Sequence, residues 1–303
     1  MRGAPPIVAL AAGLALAGAI GIQAARDARF PERTVPVDAT LYVRSPDALK
    51  RLALSFDALA ADVYWIRAIQ HFGGQRLSQA GTHKYELLYP LLDLTTTLDP
   101  YFNLAYRFGA IFLSEPPPGG PGRPDQAIAL LRKGIAAQPE KWQYYQDIAF
   151  VYYWHLRDYQ AAATWFRRAA ERPNAPNWLA PMAATMLTHG QDRASARFLW
   201  NEIRTSDQDW LRRAAERSLL QLDAMDAIDM LQAAITRAAM PPGDPYSWRV
   251  LVRRGVLRGM PADPAGVPFD INPKTGEVTV SRSSPLFPMP EDTVRPTRDQ
   301  RGP

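Results

Sequence analysis

The pattern of apolar and polar positions divides the chain into three textures. Residues 1–25 are almost wholly apolar. From 55 to 240 the apolar positions recur three and four apart, the spacing of helices with one buried face. After Met240 that period is lost, and proline, glycine and arginine become frequent. The middle texture breaks into helical segments. DALAADVYWIRAIQHF, YELLYPLLDLTTTL, AYRFGAIF, AIALLRKGIAA, YQDIAFVY, AAATWFRRAA, NWLAPMAATML and ASARFLWNEI fall within 55–206. WLRRAAERSLLQL and AIDMLQAAITRAAM follow as two amphipathic helices within 207–240. The run SEPPPGGPGRP cannot be helical and is expected to form a loop that projects from its neighbours. The fold class this pattern predicts is all-α.

Two passages repeat each other. RPDQAIALLRKGIAAQP ends at Pro139 and LRDYQAAATWFRRAAERP ends at Pro173. Ala127 and Ala161 are 34 residues apart, as are Leu131 and Trp165, and Pro139 and Pro173. Within each unit a small residue is followed by a large apolar one four positions later and by proline twelve later. Small residues let paired helices approach, and large ones fill the space beside them. The first helices show a related order, with Ala105, Phe108, Gly109 and Phe112 in one and Tyr145, Ile148, Ala149 and Tyr152 in the next. Ala194 and Phe198 suggest a third unit, and Leu88, Leu92 and Pro100 an earlier one.

This period and residue order resemble the tetratricopeptide repeat family, over about residues 55–206. The resemblance implies a right-handed helical solenoid of three to four helix pairs, with 207–240 as capping helices. It also implies a concave groove lined by the first helices. The family's groove positions fall on Gln143, Gln146, Phe150, Tyr153 and Trp154 in the best-matched unit. They fall on Asn103, Tyr106 and Leu113 in the preceding unit, and on Leu179, Ala183 and Met186 in the following one. An aromatic and amide-lined groove suits an extended or helical peptide of a partner protein. The alternative is that these aromatics are covered by neighbouring helices or by the chain's own tail.

At the N-terminus, Arg2 precedes 16 uncharged residues from Ile7 to Ile22. This is the layout of a secretory signal or a short membrane anchor, though a spanning helix wants about 20 apolar residues. An uncleaved anchor would hold the protein on the inner membrane, with its soluble part in the periplasm of a bacterial envelope. A cleaved signal would leave it free in the periplasm or secreted, and a core helix is the third reading. Residues 26–54 read as a linker.

The last texture holds a short helix and a hairpin over 244–280. Asp244 is a suitable N-cap with Pro245 at the first helical position, and Gly255 or Gly259 would stop the helix. Phe269–Ile271 and Glu277–Val280 alternate like strands around an NPKTG turn. The run LVRRGVLRGMPADPAGVPFDINPKTGEV resembles the helix-end and hairpin segment of the major pseudopilins of type II secretion, a pointer to envelope machinery. Residues 281–303 carry five prolines and little apolar periodicity, and are expected to be disordered or extended along a partner.

Chemistry narrows the picture mainly by exclusion. The absence of cysteine removes disulfides, thiolate metal sites, a cysteine nucleophile and a lipid-modified N-terminal cysteine. His71, His83, His155 and His189 lie at no metal-ligand spacing. Nucleophile-elbow, phosphate-loop and dinucleotide motifs are missing from the sequence. The expectation is therefore a non-enzyme without cofactor, metal, small-molecule substrate or nucleic-acid partner. Asp223, Asp226 and Asp229 are expected on a solvated helix face. The net charge of +5 is spread over several segments. Its one stripe, Arg249, Arg253, Arg254 and Arg258 beside Trp248, would suit anionic lipid or an acidic protein surface, or a plain solvated face.

Overall fold

The structure is a computed structural model that describes residues 6–29, 49–51, 53–78, 84–238 and 245–290, with the side chains of 6–14 and 26–28 excepted. Two compact units are present, Met1–Leu52 and Ala53–Pro303. The first contains helix α1, Pro6–Arg29. It runs four residues past the expected boundary at 25. Among residues with described side chains, no helix is long and apolar enough to cross a membrane; residues 6–14 of α1 lie outside that set. Most of the 26–54 linker also lies outside the described residues, as do His83, Asp244 and residues 291–303.

The second unit is mostly helical. Its helices are α2 (Asp57–Leu77), α3 (Leu88–Leu98), α4 (Asn103–Ser114), α5 (Pro124–Ala137), α6 (Trp142–Val151), α7 (Tyr159–Ala170), α8 (Leu179–His189), α9 (Arg193–Ile203), α10 (Asp209–Arg237) and α11 (Trp248–Arg253). A π-helical turn, Tyr152–Leu156, extends α6. Local chemistry sets the ends. Pro124 starts α5 where its missing N–H costs nothing. The carboxylates of Asp158 and Asp192 cap α7 and α9 by accepting from Ala161 N–H (2.9 Å) and Ser195 N–H (3.0 Å).

Each helix from α2 to α10 packs on its neighbour in sequence; the first helices of the expected repeats are α2, α4, α6 and α8, and the second helices α3, α5, α7 and α9. First helices also touch, α4 with α6 and α8 with α10, and second helices touch at α3 and α5. Buried residues four and then three apart recur in the second helices: Leu88–Leu92–Thr95, Ala127–Leu131–Gly134, Ala162–Phe166–Ala169 and Ala196–Trp200–Ile203. This corrects the sequence alignment in two places. Ala162 rather than Ala161 occupies the small position, because the π turn adds one residue between α6 and α7. Ala194 and Phe198 point outward, with Phe198 74% exposed, and Ala196 and Trp200 take their places.

Two further expectations are corrected. The SEPPPGGPGRP run folds back instead of projecting. Arg123 N–H donates to the Leu113 carbonyl (2.7 Å), and the Tyr85 hydroxyl donates to the Gly119 carbonyl (3.2 Å). Residues 209–237 form one helix, since the segment holds neither glycine nor proline and its central acids are neutralised. Asp226 pairs with Arg193 (2.8 Å) and Arg197 of α9, Asp229 pairs with Arg193 (2.7 Å), and Asp223 pairs with Arg197. The acids keep about half of their side-chain surface in solvent, as expected of a solvated face, and also join two helices.

The region after α10 packs on it. Ser247 caps α11, and Gly255 (φ 73°) ends it. The hairpin is present as β1 (Asp270–Ile271) antiparallel to β2 (Val278–Thr279), with Asp270 opposite Thr279. Trp248, Leu251, Phe269, Val278, Val280 and Leu286 form a core with Ala224, Ile228 and Ile235 of α10. Residues 281–290, expected as disordered tail, are ordered against α10. Leu286 is buried, and the Gln221 amide donates to the carbonyls of Leu286 (2.8 Å) and Pro288 (2.9 Å).

Candidate functional site

A cleft with a largely apolar lining lies between α4 and α6. Arg107, Ala110, Ile111 and Ser114 line one wall; Asp147, Phe150, Val151 and Trp154 line the other, with Glu115 and His155 at one end. Each residue of the first set has its counterpart 40 positions on, so equivalent turns of two successive first helices face each other. Its volume is about 300 Å³.

The walls combine one ion pair with large apolar surfaces. Arg107 donates from Nε (2.6 Å) and Nη2 (3.1 Å) to the two oxygens of Asp147. This forked pairing fixes both side chains and the approach of α4 to α6. Phe150 is anchored from behind by Phe166, edge to face at 5.2 Å. The π turn carries Trp154 outward, braced by Tyr153 at 4.7 Å. Ile111 and Trp154 remain 57% and 55% exposed. Leu104 and Phe108 continue the exposed apolar stripe of α4 along the same helix.

The ion pair gives a pH-dependent signature. Burial holds the Asp147 carboxyl above the ordinary value of 3.8, against the opposing pull of Arg107. Arg107 is raised as well, first by its hydrogen bonds to Asp147. The arginine's shift says that the pair favours charge and the carboxyl's says that it does not. Asp147 is the more deeply buried partner, with 15% side-chain exposure against 39%, so its desolvation decides. Protonated Asp147 therefore adds stability that is fully present below 3.8 and is lost as pH rises through the raised value. The melting temperature of the protein relative to Asp147→Asn is expected to fall as pH rises from the ordinary carboxylate value of 3.8 through the raised one. A difference that stays level or grows over that window contradicts it.

The sequence-derived groove residues divide sharply. Phe150 and Trp154 line the cleft. Tyr153 braces Trp154 and contacts Tyr159 of α7 at 6.0 Å. Gln143 and Gln146 are half-buried on α6, outside the cleft wall. Tyr106, Leu113, Leu179, Ala183 and Met186 are corrected: all five are buried and offer no surface to a partner. Tyr106 instead reaches α3, donating its hydroxyl to the Thr96 carbonyl (3.3 Å). Asn103 is also turned inward, accepting from the Tyr144 hydroxyl (2.6 Å) and the Gln138 amide (3.1 Å). Arg107, Ile111 and Asp147 escaped the sequence reading. Their signal was an arginine and an aspartate at the same place in successive units, offset by the repeat plus its insertion.

Arg249, Arg253, Arg254 and Arg258 are all exposed on α11 and the turn after it. Trp248 does not share that surface; it is buried and donates Nε1–H to the Phe269 carbonyl (2.7 Å). His71 is buried in α2, and burial lowers its pKa. His189 stacks near Tyr159 at 6.0 Å. Among the described residues no group of three or more His, Asp or Glu is placed to hold a metal ion.

No family model matches the chain, and no curated protein or solved structure matches it.

Proposed function

We propose that the protein is a non-catalytic scaffold or assembly factor whose α4–α6 cleft binds a segment of a partner protein. The observation that carries this reading is the exposure of Ile111 and Trp154 over a cavity walled by Phe150 and the Arg107–Asp147 pair. Large apolar side chains held in water by a rigid frame gain most when a partner covers them. The fold reading that goes with it is a tetratricopeptide-type solenoid. It is supported by the packing of each helix on its sequence neighbours, by the contacts between alternate helices and by the recurring buried triplets of the second helices. The apolar residues of the N-terminal segment and the pseudopilin-like hairpin sequence support a bacterial envelope as its location, with the N-terminus as anchor or export signal.

A second reading, a permanent subunit of a membrane complex, is favoured by α2. Leu59, Val63 and Ile66 form an exposed apolar stripe at i, i+4 and i+7. A face of this kind is better suited to lasting burial than to transient contact.

The test is affinity isolation of the full chain from detergent-solubilised membranes, with quantitative mass spectrometry. Wild type is compared with Ile111→Ser/Trp154→Ala and with Phe198→Ala, which alters an exposed ring outside the cleft. One or a few proteins are expected to fall about ten-fold or more with the cleft variant and to persist with Phe198→Ala. An unchanged set overturns the cleft reading. A partner that stays stoichiometric through both variants identifies the permanent subunit.

A further inference from the structure

A segment of this chain lies against the equivalent face of α8 and α10. Thr185 and His189 follow Phe150 and Trp154 by 35 residues. They are the last residue of α8 and the one a turn before, as Ser114 and Ala110 are in α4. A cleft of about 270 Å³ opens there between α8 and α10, and its remaining wall is Trp200 of α9 with Pro288, Met289 and Pro290. The face that is open at α4–α6 is thus partly occupied at α8–α10.

The manner of occupation is informative. Three consecutive carbonyls are read by side-chain donors of α10. Gln221 donates to Leu286 and Pro288, and Arg217 donates to Phe287 (2.9 Å). Gln221 is buried, so its amide is committed to this contact. Pro285, Pro288 and Pro290 have no N–H, so the segment brings few donors that helix side chains would have to satisfy. Leu286 supplies the apolar anchor within the core. Prolines, one buried aliphatic and a row of acceptor carbonyls are what this helix face holds.

We infer that the open α4–α6 cleft takes a ligand of the same class, a proline-containing apolar segment of a partner protein. The inference rests on the reading of that cleft as the partner site. Its chemistry matches. Phe150 and Trp154 offer ring faces against which proline packs, as in grooves that hold polyproline segments. Arg107 uses Nε and Nη2 on Asp147, which leaves Nη1 hydrogens for a carbonyl. A ligand stiffened by proline also loses less chain entropy on binding.

The probe is a labelled synthetic peptide with the sequence of residues 283–290, SSPLFPMP, titrated by fluorescence anisotropy into the full chain in detergent. Saturable binding is expected, weakened about ten-fold or more by Ile111→Ser/Trp154→Ala and unchanged by Gln221→Ala. A peptide with its three prolines replaced by alanine is expected to bind about five-fold more weakly or worse. Circular dichroism confirms that each variant remains folded. Absence of binding, binding indifferent to Ile111 and Trp154, or equal affinity of the proline-free peptide overturns the inference. If the co-purifying partner depends on Trp154 while the peptide fails, the ligand class falls and the cleft reading stands. If the peptide binds through Trp154 while co-purification is unaffected, the ligand class stands and the scaffold reading falls.

Discussion

Tyr144→Ala is expected to destabilise the protein by about 4 kcal/mol, in the range for removing a fully buried aromatic ring. Tyr144 is 0% exposed and joins three helices. Its ring lies 5.3 Å from that of Tyr106, inclined at 58°. Both rings close on Gly134 of α5, where an added Cβ would sit 3.0 Å from Tyr106 and 3.1 Å from Tyr144. The Tyr144 hydroxyl donates to Asn103 Oδ1 and accepts from Gln138, which also donates to the Pro100 carbonyl (3.2 Å). Truncation to alanine therefore leaves a void at the meeting of α4, α5 and α6. Tyr144→Phe tests the hydroxyl alone. Asn103 Oδ1 keeps its hydrogen bond from Gln138, so the expected cost is about 1 kcal/mol. Urea denaturation of the full chain, followed by tryptophan fluorescence, separates the two. A Tyr144→Ala variant within about 1 kcal/mol of wild type contradicts this account of the core.

The same neighbourhood shows what was legible in the sequence. Helical period, proline ends and the hairpin turn are local properties, and they predicted the elements well. Register between helices is not local. A single π turn, unmarked by proline or glycine, moves the small position from Ala161 to Ala162. Ala194 and Phe198 repeat the spacing of a buried pair yet face water, because period alone does not say which stripe the neighbouring helix covers. The groove positions failed for a related reason. In α4 the family's positions select Asn103, Tyr106 and Leu113, which face the partner helices, while the surface toward α6 is Arg107, Ala110, Ile111 and Ser114. Long-range polar pairing was the least legible. Asp223, Asp226 and Asp229 read as a solvated face, and their spacing does not show that Arg193 and Arg197 of another helix stand opposite them. The tail read as disordered by composition, but Gln221 and Leu286 hold its first ten residues in place.

Gly109→Leu is expected to cost about 3 kcal/mol or more through overpacking, and to weaken the cleft with it. At Gly109 α4 meets Leu92 of α3 and Leu130 of α5. A Cβ there would stand 2.9 Å from a terminal carbon of Leu130 and 2.9 Å from one of Leu92. Both contacts are the far ends of flexible side chains, so a single methyl group is accommodated by a small shift. Gly109→Ala also recovers about 1 kcal/mol of helix propensity, which offsets that shift and leaves the variant near wild type. Leucine adds three further carbons. Leu92 and Leu130 are both fully buried and have no solvent-side space to turn into. The strain is relieved only by moving α4 outward, and Ala110 and Ile111 move with it, since they adjoin Gly109 and line the cleft. The expected result is therefore paired: a lower urea midpoint, and weaker retention of whatever ligand depends on Ile111 and Trp154. Gly109→Ala retains both properties. Equal stability of the alanine and leucine variants would mean that α3, α4 and α5 do not meet at this residue.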